Sequence, residues 1–348
     1  MALLQQVKDG EFLKATCDLS SPCELGEWKV STGVHCQLIM RGVLQITPAE
    51  LGGNEKDIIL SSGVHGDETS PIELIQNLAQ KILKGELVPV HRLLLIIAHP
   101  EAINAHTRFI DENMNRLFNG HNEERNVDCI VANQLQAAVN SFYAGSTAIN
   151  KDRWHLDLHC AIRGSAHYTF AVSPFSEKPT RSNRLFAFLQ RAEIEAVLLS
   201  RTASPTFSWY SAENFGAQAL TMELGKVAPF GKNDLSLLES FNTAMLALVI
   251  EPELALEWHG DKLNVYKVTR TLTKQTEAFQ FTFPDNQANF TFFEQGKLLG
   301  SDEGVEYFSL EGGEAVVFPN PNVAIGQRAC LLVRKTAVNF AEQVTVKP

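Results

Sequence analysis

The sequence has little that would tie it to a membrane or to nucleic acid. Its 348 residues carry a formal net charge of -10, and an acidic surface attracts neither nucleic acid nor an anionic bilayer. No apolar run approaches the roughly 20 residues needed to cross a bilayer. Met1 to Gly10 lacks the basic start, apolar run and small-residue cleavage site of a secretory signal. Cysteine is sparse: Cys17, Cys23, Cys36, Cys129, Cys160 and Cys330 form no Cys-x-x-Cys pair and no dense framework. Reduced thiols in a cytoplasmic protein are therefore the expectation. Internal repeats and low-complexity tracts are missing. The 45% hydrophobic and 20% charged fractions are those of a soluble globular protein, and the length suits one large domain with a smaller one attached. The expected partner is then a small molecule, with no nucleic acid and no membrane, while homo-oligomerisation is left open.

What is present is concentrated at Ser61 to Pro71. Asp57-Ile58-Ile59-Leu60 has the texture of a buried parallel strand, and Gly63 and Gly66 then break regular structure. Ser70, Pro71 and Glu73 match an N-cap, a first-position proline and a capping-box partner, which predicts a helix from about residue 71. His65 and Glu68 thus fall in a tight loop at the carboxyl end of a strand, where open α/β sheets bind ligands. Imidazole plus carboxylate suits zinc or a similar borderline metal, and a third ligand must come from elsewhere.

Further strands are predicted over 43–48, 93–98, 154–160, 167–172, 196–200 and 219–225. Helices are predicted over 71–83, 123–143, 179–193 and 235–249, the last capped at Asn233 or Asp234. From about Trp258 the sequence turns β-rich, with glycine and proline between short apolar runs. The organisation expected is an α/β domain over 1–255, including an N-terminal extension of about 40 residues, and a β-rich domain over 256–348.

Among the ten histidines, His159 is the best third ligand, because it ends a strand whose alternation puts Asp157 on the same face. The plain alternative is a hydrogen-bonded sheet histidine. Asp157 could orient a ligand from behind or serve only as a structural acceptor. Three protein ligands leave a position for water, whose pKa zinc lowers toward about 7. Glu223, near the end of an apolar strand, is the candidate base, since an acid there is costly unless used or satisfied; a salt bridge to Lys226 is its alternative. Arg108, Asn115 and Arg116 share one polar loop, and Arg163 follows His159. Each arginine alone reads as a solvated surface group, but together they suit an anionic substrate or a developing oxyanion. Cys160 as nucleophile lacks a paired base and reads as a buried thiol.

Four stretches then resemble, in order, the zinc carboxypeptidase-like family that includes aspartoacylase: Gly63-Val64-His65-Gly66-Asp67-Glu68, Asn104-x-x-x-Arg108-Phe109 through Asn115-Arg116-Leu117-Phe118, Asp157-Leu158-His159, and Met222-Glu223-Leu224-Gly225. Asp157 through Ser165 and Gly225 through Gly231 are similar to its succinylglutamate desuccinylase branch. The motifs cover about residues 40 to 250. The resemblance implies a mixed sheet flanked by helices, with a smaller β-rich C-terminal domain. It implies one zinc ion per subunit on His65, Glu68 and His159, with Glu223 as general base and acid and Arg108 polarising the scissile carbonyl. Asn115 and Arg116 would hold a substrate carboxylate, and Arg163 is a further candidate. The implied reaction is hydrolysis of N-succinyl-L-glutamate. Its rivals are an aspartoacylase-like deacylase of another N-acyl amino acid and a non-catalytic zinc-binding sensor. One departure is Asn113, where aspartoacylase has an acidic residue, and the tyrosine that aspartoacylase brings to its pocket from the C-terminal part has no clear counterpart.

Overall fold

The structure, a computed structural model, describes residues 2–255, 257–260 and 262–338. Among the described residues sixteen strands form in chain order: β1 (Gly26–Lys29), β2 (His35–Met40), β3 (Val43–Thr47), β4 (Asp57–Ser62), β5 (Arg92–Ile97), β6 (Arg153–Ala161), β7 (Thr169–Ser173), β8 (Ala196–Leu199), β9 (Gln218–Lys226), β10 (Asn264–Thr273), β11 (Gln280–Phe281), β12 (Thr291–Phe293), β13 (Leu298–Asp302), β14 (Val305–Phe308), β15 (Glu314–Val317) and β16 (Arg328–Lys335). The helices are α1 (Leu3–Lys8), α2 (Phe12–Cys17), α3 (Thr69–Leu83), α4 (Pro100–Ala105), α5 (Val127–Ala144), α6 (Asn183–Arg191), α7 (Phe207–Phe215) and α8 (Glu239–Ile250). None of the described helices is long and apolar enough to cross a membrane.

One mixed sheet runs in the order β1-β2-β3-β5-β4-β6-β9-β7-β8-β10-β16-β15-β12. Its centre, β5-β4-β6-β9, is parallel. Every residue of β4 and β5 is buried, which is why these strands read as unbroken apolar runs without alternation. One face is covered by α3, α6 and α8, whose Ile75, Leu78, Phe186, Phe188, Phe241 and Leu248 pack on Ile58, Leu60, Leu93 and Leu156. On the other face, Leu135, Val139 and Phe142 of α5 and Phe207 of α7 pack on Ile59, Leu94 and Ile96.

β10 pairs in parallel with β8, so the β-rich C-terminal part continues the main sheet through β10, β16, β15 and β12. The small sheet β11-β13-β14 completes it, and Phe279, Phe283, Leu299, Val316 and Leu332 fill the core between the two. The fold is therefore the expected mixed α/β sheet with a smaller β-rich part.

Several local expectations change. Helix α5 begins at Val127 rather than 123, because Asn126 caps it, and α6 spans Asn183–Arg191 rather than 179–193, because Ser182 caps it. Helix α3 begins at Thr69, two residues earlier than the capping pattern predicts, and Glu68 occupies its N-cap without making a side-chain cap. Ser70 lies buried inside the helix, with its hydroxyl 3.1 Å from the Cys160 thiol. Glu73 instead accepts from Gly231 and Asn233. The reason lies in the Glu68 carboxylate, which is drawn away from the helix end toward two histidines. In α8, Asp234 does cap the start, but of a 3-10 turn over Leu235–Leu238 that precedes the α-helix.

Candidate metal centre

Three strand ends meet side by side because β4, β6 and β9 are neighbours in one parallel register. Ser61 pairs with Asp157, and His159 pairs with Glu223. The chain leaves β4 through Gly63, whose φ of +68° is the left-handed region that glycine takes without cost. At Gly66 a Cβ would lie 2.1 Å from the Ala102 carbonyl carbon of α4. Only glycine lets α4 pack so closely, and that packing turns His65 and Glu68 inward.

His65, Glu68 and His159 are all buried, and their ligand atoms converge. His65 Nδ1 is 2.9 Å from Glu68 Oε1 and 3.1 Å from His159 Nδ1, while His159 Nδ1 is 2.8 Å from Glu68 Oε2. The outer nitrogens decide what occupies the middle. His159 Nε2 lies 2.9 Å from Asp157 Oδ2, and His65 Nε2 lies 3.0 Å from Asn113 Oδ1. Both partners are acceptors, so the ring protons point outward and the two Nδ1 lone pairs point in. Two ring nitrogens and a carboxylate facing one another compete for a single cation, which is a proton on His159 Nδ1 or a metal ion in its place. Two ligands about 2.0–2.1 Å from a tetrahedral metal sit about 3.3 Å apart, close to the observed spacing. The site residues therefore fit a metal ion.

The electrostatics agree. Burial disfavours charge on His159, yet Asp157 and Glu68 push its pKa well above the usual histidine value. Burial also opposes ionisation of Glu68, but the two histidines hold its carboxyl well below the usual range. His65, dominated by burial, falls to about 4. Negative potential is thus focused where the three atoms meet.

Around them a buried network sets orientation. Asp157 Oδ1 accepts from Ser61 Oγ at 2.6 Å, Ser61 Oγ is 2.9 Å from His155 Nε2, and His155 Nδ1 is 2.7 Å from Ser211 Oγ. Asn113, the departure noted in the sequence, also accepts from Asn115 N–H at 3.0 Å. Its neutral carbonyl oxygen does for the His65 ring what an acid would do with a charge.

Glu223 lies beside this centre, buried. Among the described residues no hydrogen-bond or ion-pair partner holds its carboxyl, and Lys226 is exposed without pairing to it. Burial and then the Glu68 charge raise Glu223 to about 7, against the opposing pull of His159 and Arg108. Arg108 reaches the centre from the second loop, with Nη1 2.6 Å from Glu68 Oε1. Asn115 is held by its carbonyl oxygen, which accepts from Phe207 N–H at 2.9 Å, so its amide nitrogen faces His159 at 3.3 Å. That nitrogen faces a protonated ring nitrogen and keeps its own hydrogens for another acceptor. Arg116 reaches the surface and donates to the Asn115 carbonyl at 2.6 Å. Surrounding protein, then Arg328 and Arg108, lower its pKa to about 10, so it stays cationic. Arg163, half-buried two residues past β6, has no carboxylate partner among the described residues. Burial, then Glu68, raise the Cys160 thiol far above its usual value, which leaves it inert.

Sequence reasoning missed Asp128, fully buried in the first turn of α5. Its carboxylate accepts from the N–H groups of Ile110, Asp111 and Glu112, and His99 Nε2 lies 3.0 Å from Oδ1. It ties down the loop between Arg108 and Asn115. The only signal was an acid just after the Asn126 cap, which reads as ordinary helix-dipole chemistry.

Comparison with known proteins agrees with this geometry. A family model described as the succinylglutamate desuccinylase/aspartoacylase catalytic domain matches residues 54–249, and one described as the AstE/AspA barrel-sandwich hybrid domain matches residues 261–336. The chain is 45% identical over 338 residues to the succinylglutamate desuccinylase of Vibrio vulnificus, covering 96% of this chain and 97% of that protein. It is 47% identical over 332 residues to the enzyme so named from Vibrio parahaemolyticus, covering 95% and 96%. An X-ray structure of succinylglutamate desuccinylase from the latter organism superposes with a TM-score of 0.87 at 46% identity, covering 93% of this chain and 94% of that one.

Proposed function

The chain belongs to the succinylglutamate desuccinylase/aspartoacylase family, and from that premise we propose that it hydrolyses N-succinyl-L-glutamate to succinate and L-glutamate, the last step of arginine catabolism by the succinyl route. The observation that carries the chemistry is the triangle of inward-facing acceptor atoms on His65, Glu68 and His159, with the Glu223 carboxyl beside it. Zinc is the metal that suits two imidazoles and a carboxylate, one ion per subunit, and when bound it supplies Lewis acidity toward the amide carbonyl and toward water.

The protein's own groups do the rest. Glu223, unpaired and with a pKa near neutrality, takes the proton of the attacking water as the carbon–oxygen bond forms. It returns that proton to the glutamate nitrogen as the carbon–nitrogen bond breaks, so the amine leaves neutral. The Arg108 guanidinium, already within reach of the centre, donates to the oxygen that gains negative charge. Asn115 offers its free amide hydrogens, and Arg116 and Arg163 their guanidiniums, to the three carboxylates of the substrate. The hydrolase unit is assigned to residues 1–255 and the β-rich unit to 256–348, a boundary at residue 256, which lies outside the described residues.

A release assay on the zinc-loaded protein with N-succinylglutamate, N-acetylaspartate and a short peptide tests the substrate, and preference for either of the last two rejects it. Glu223→Gln is expected to keep stoichiometric zinc while kcat drops by at least about 100-fold. Undiminished turnover in that variant would remove Glu223 from the mechanism.

A further inference from the structure

We propose that Ser211, His155 and Ser61 form a one-way hydrogen-bond chain that fixes the Asp157 carboxylate against the outer nitrogen of His159, which makes Ser61 and His155 positioning residues for the metal ion. The proposal rests on the metal reading given above and extends it to a buried histidine that the reaction itself does not use.

Strand β6 lays His155, Asp157 and His159 along one face, since residues two apart point the same way. All three are buried, as is Ser61 on the neighbouring strand β4. A carboxylate flanked by two imidazoles on its own strand has two rival donors. Ser61 removes the rivalry. It pairs directly with Asp157 across the two strands, and its hydroxyl lies 2.9 Å from His155 Nε2 and 2.6 Å from Asp157 Oδ1, linking the ring to the carboxylate.

The direction of each bond follows from counting protons. An ionised carboxylate only accepts, so the single hydroxyl proton of Ser61 goes to Asp157, and the Ser61 oxygen accepts from His155 Nε2–H. Burial, against the pull of Asp157, lowers the pKa of His155 to about 4, in agreement with a neutral ring that carries that one proton. Its Nδ1 therefore accepts, and the donor is the Ser211 hydroxyl at 2.7 Å. Every link points toward Asp157, and the other carboxylate oxygen, Oδ2, is left to receive His159 Nε2–H at 2.9 Å. With both carboxylate oxygens engaged, the His159 ring is held with Nδ1 aimed at the point where His65 and Glu68 converge.

Helix α7 anchors the far end of the chain. Ser208 and Ser211 are one helical turn apart and both buried, and Ser208 Oγ lies 2.7 Å from Thr221 Oγ1, two residues before Glu223 on β9. The Phe207 ring meets the His155 ring edge-on, with centroids 4.7 Å apart. The same helix thus backs both strands that carry His159 and Glu223. Two serines and a histidine at a helix-to-sheet contact cost more to bury than apolar side chains would, and their complete mutual pairing is what a polar network needs to hold one arrangement.

Zinc affinity of the metal-free full chain, measured by competition with a chromophoric chelator, tests this without any turnover. Ser61→Ala and His155→Leu are expected to weaken zinc binding roughly 10- to 100-fold. His155→Gln, whose side-chain amide keeps a donor for Ser61, should recover most of the loss. In an Asp157→Asn background, Ser61→Ala should change the affinity by less than about threefold, because residues that act through one another are not additive. Histidine-selective 15N NMR reads the chain directly, and His155 is expected as the neutral Nε2–H tautomer with and without zinc. An Nδ1–H tautomer there overturns the proposal, since Ser61 would then give its proton to His155 and not to Asp157. Unchanged zinc affinity in Ser61→Ala overturns it too, as does an equal loss in both backgrounds, which is the mark of general destabilisation. If His155→Leu does not fold, Ser211→Ala interrupts the same chain one link further out and is expected to lower the affinity in the same direction. A wild-type chain that binds no zinc rejects the metal reading and this proposal with it.

Discussion

Glu223 joins burial to reactivity most directly. Removing a carboxyl from water raises its pKa, and the Glu68 charge raises it further, to about 7. A general base acts when deprotonated, so kcat/KM should fall as pH drops below that value, by about tenfold per pH unit. A cation on Glu68 cancels part of the charge that raises Glu223, which puts the acid limb of the loaded enzyme at or below pH 7. A pH profile measured with saturating zinc checks both sign and position; a profile flat from pH 5 to 8 would exclude Glu223 as the titrating base. Asp157 and Asn113 illustrate a second residue-scale principle. Each holds the outer nitrogen of one candidate ligand, and it is this pair of contacts that turns the Nδ1 lone pairs inward.

At the scale of the element, the loop from Arg108 to Arg116 carries the anion-binding groups but has little regular structure of its own, only the 3-10 turn Met114–Arg116. Its order comes from outside, from the Asp128 carboxylate at the N-terminus of α5. Removing that acceptor leaves three backbone N–H groups without their partner, and each such loss costs about 1–3 kcal/mol when the donor stays buried. Asp128→Ala should therefore lower Tm by several degrees. It should also raise KM more than the isosteric Asp128→Asn, which keeps one acceptor oxygen. Thermal melts and kinetics of the two variants check this, and equal behaviour of both with wild type would show that the loop is ordered by other contacts. Helix α3 shows the complementary case, in which chemistry overrides a capping pattern. Glu68 stands at the N-cap, but its two oxygens go to His65, Arg108, His159 and the Cys160 N–H, so the helix begins without a side-chain cap.

At the scale of the whole molecule, the β-rich part is no detachable appendage, since β10 hydrogen-bonds along β8 and extends the main sheet. Val197 and Leu199 would keep their helix-covered face without it. Phe170, Ala196 and Leu198 would lose the cover of Tyr266, Phe290, Val317 and Val333. A chain ending at residue 255 would expose the β8 edge and that apolar face together, a combination that favours aggregation. The truncated protein is expected to be insoluble or to melt well below the full chain, and a monodisperse truncation with unchanged Tm would contradict this. Much of this architecture was legible in the sequence. Buried parallel strands are continuous apolar runs, so β4, β5 and β9 stood out, and glycines beside His65 and Glu68 marked a strand-end turn. The positions of His159 and Glu223 followed in the same way. Residues 1 to 42 and helix α7 were not legible, because their apolar positions are set by what they pack against and carry no strong period of their own. What the sequence by itself determined is which side chains stand at the ends of strands, since local hydrophobic pattern and turn chemistry govern that. What only the tertiary structure decided is which of them meet: the order of β4, β6 and β9 and the contact of Asn113 with His65 join residues far apart along the chain, and no local pattern encodes the pairing of strands across such distances.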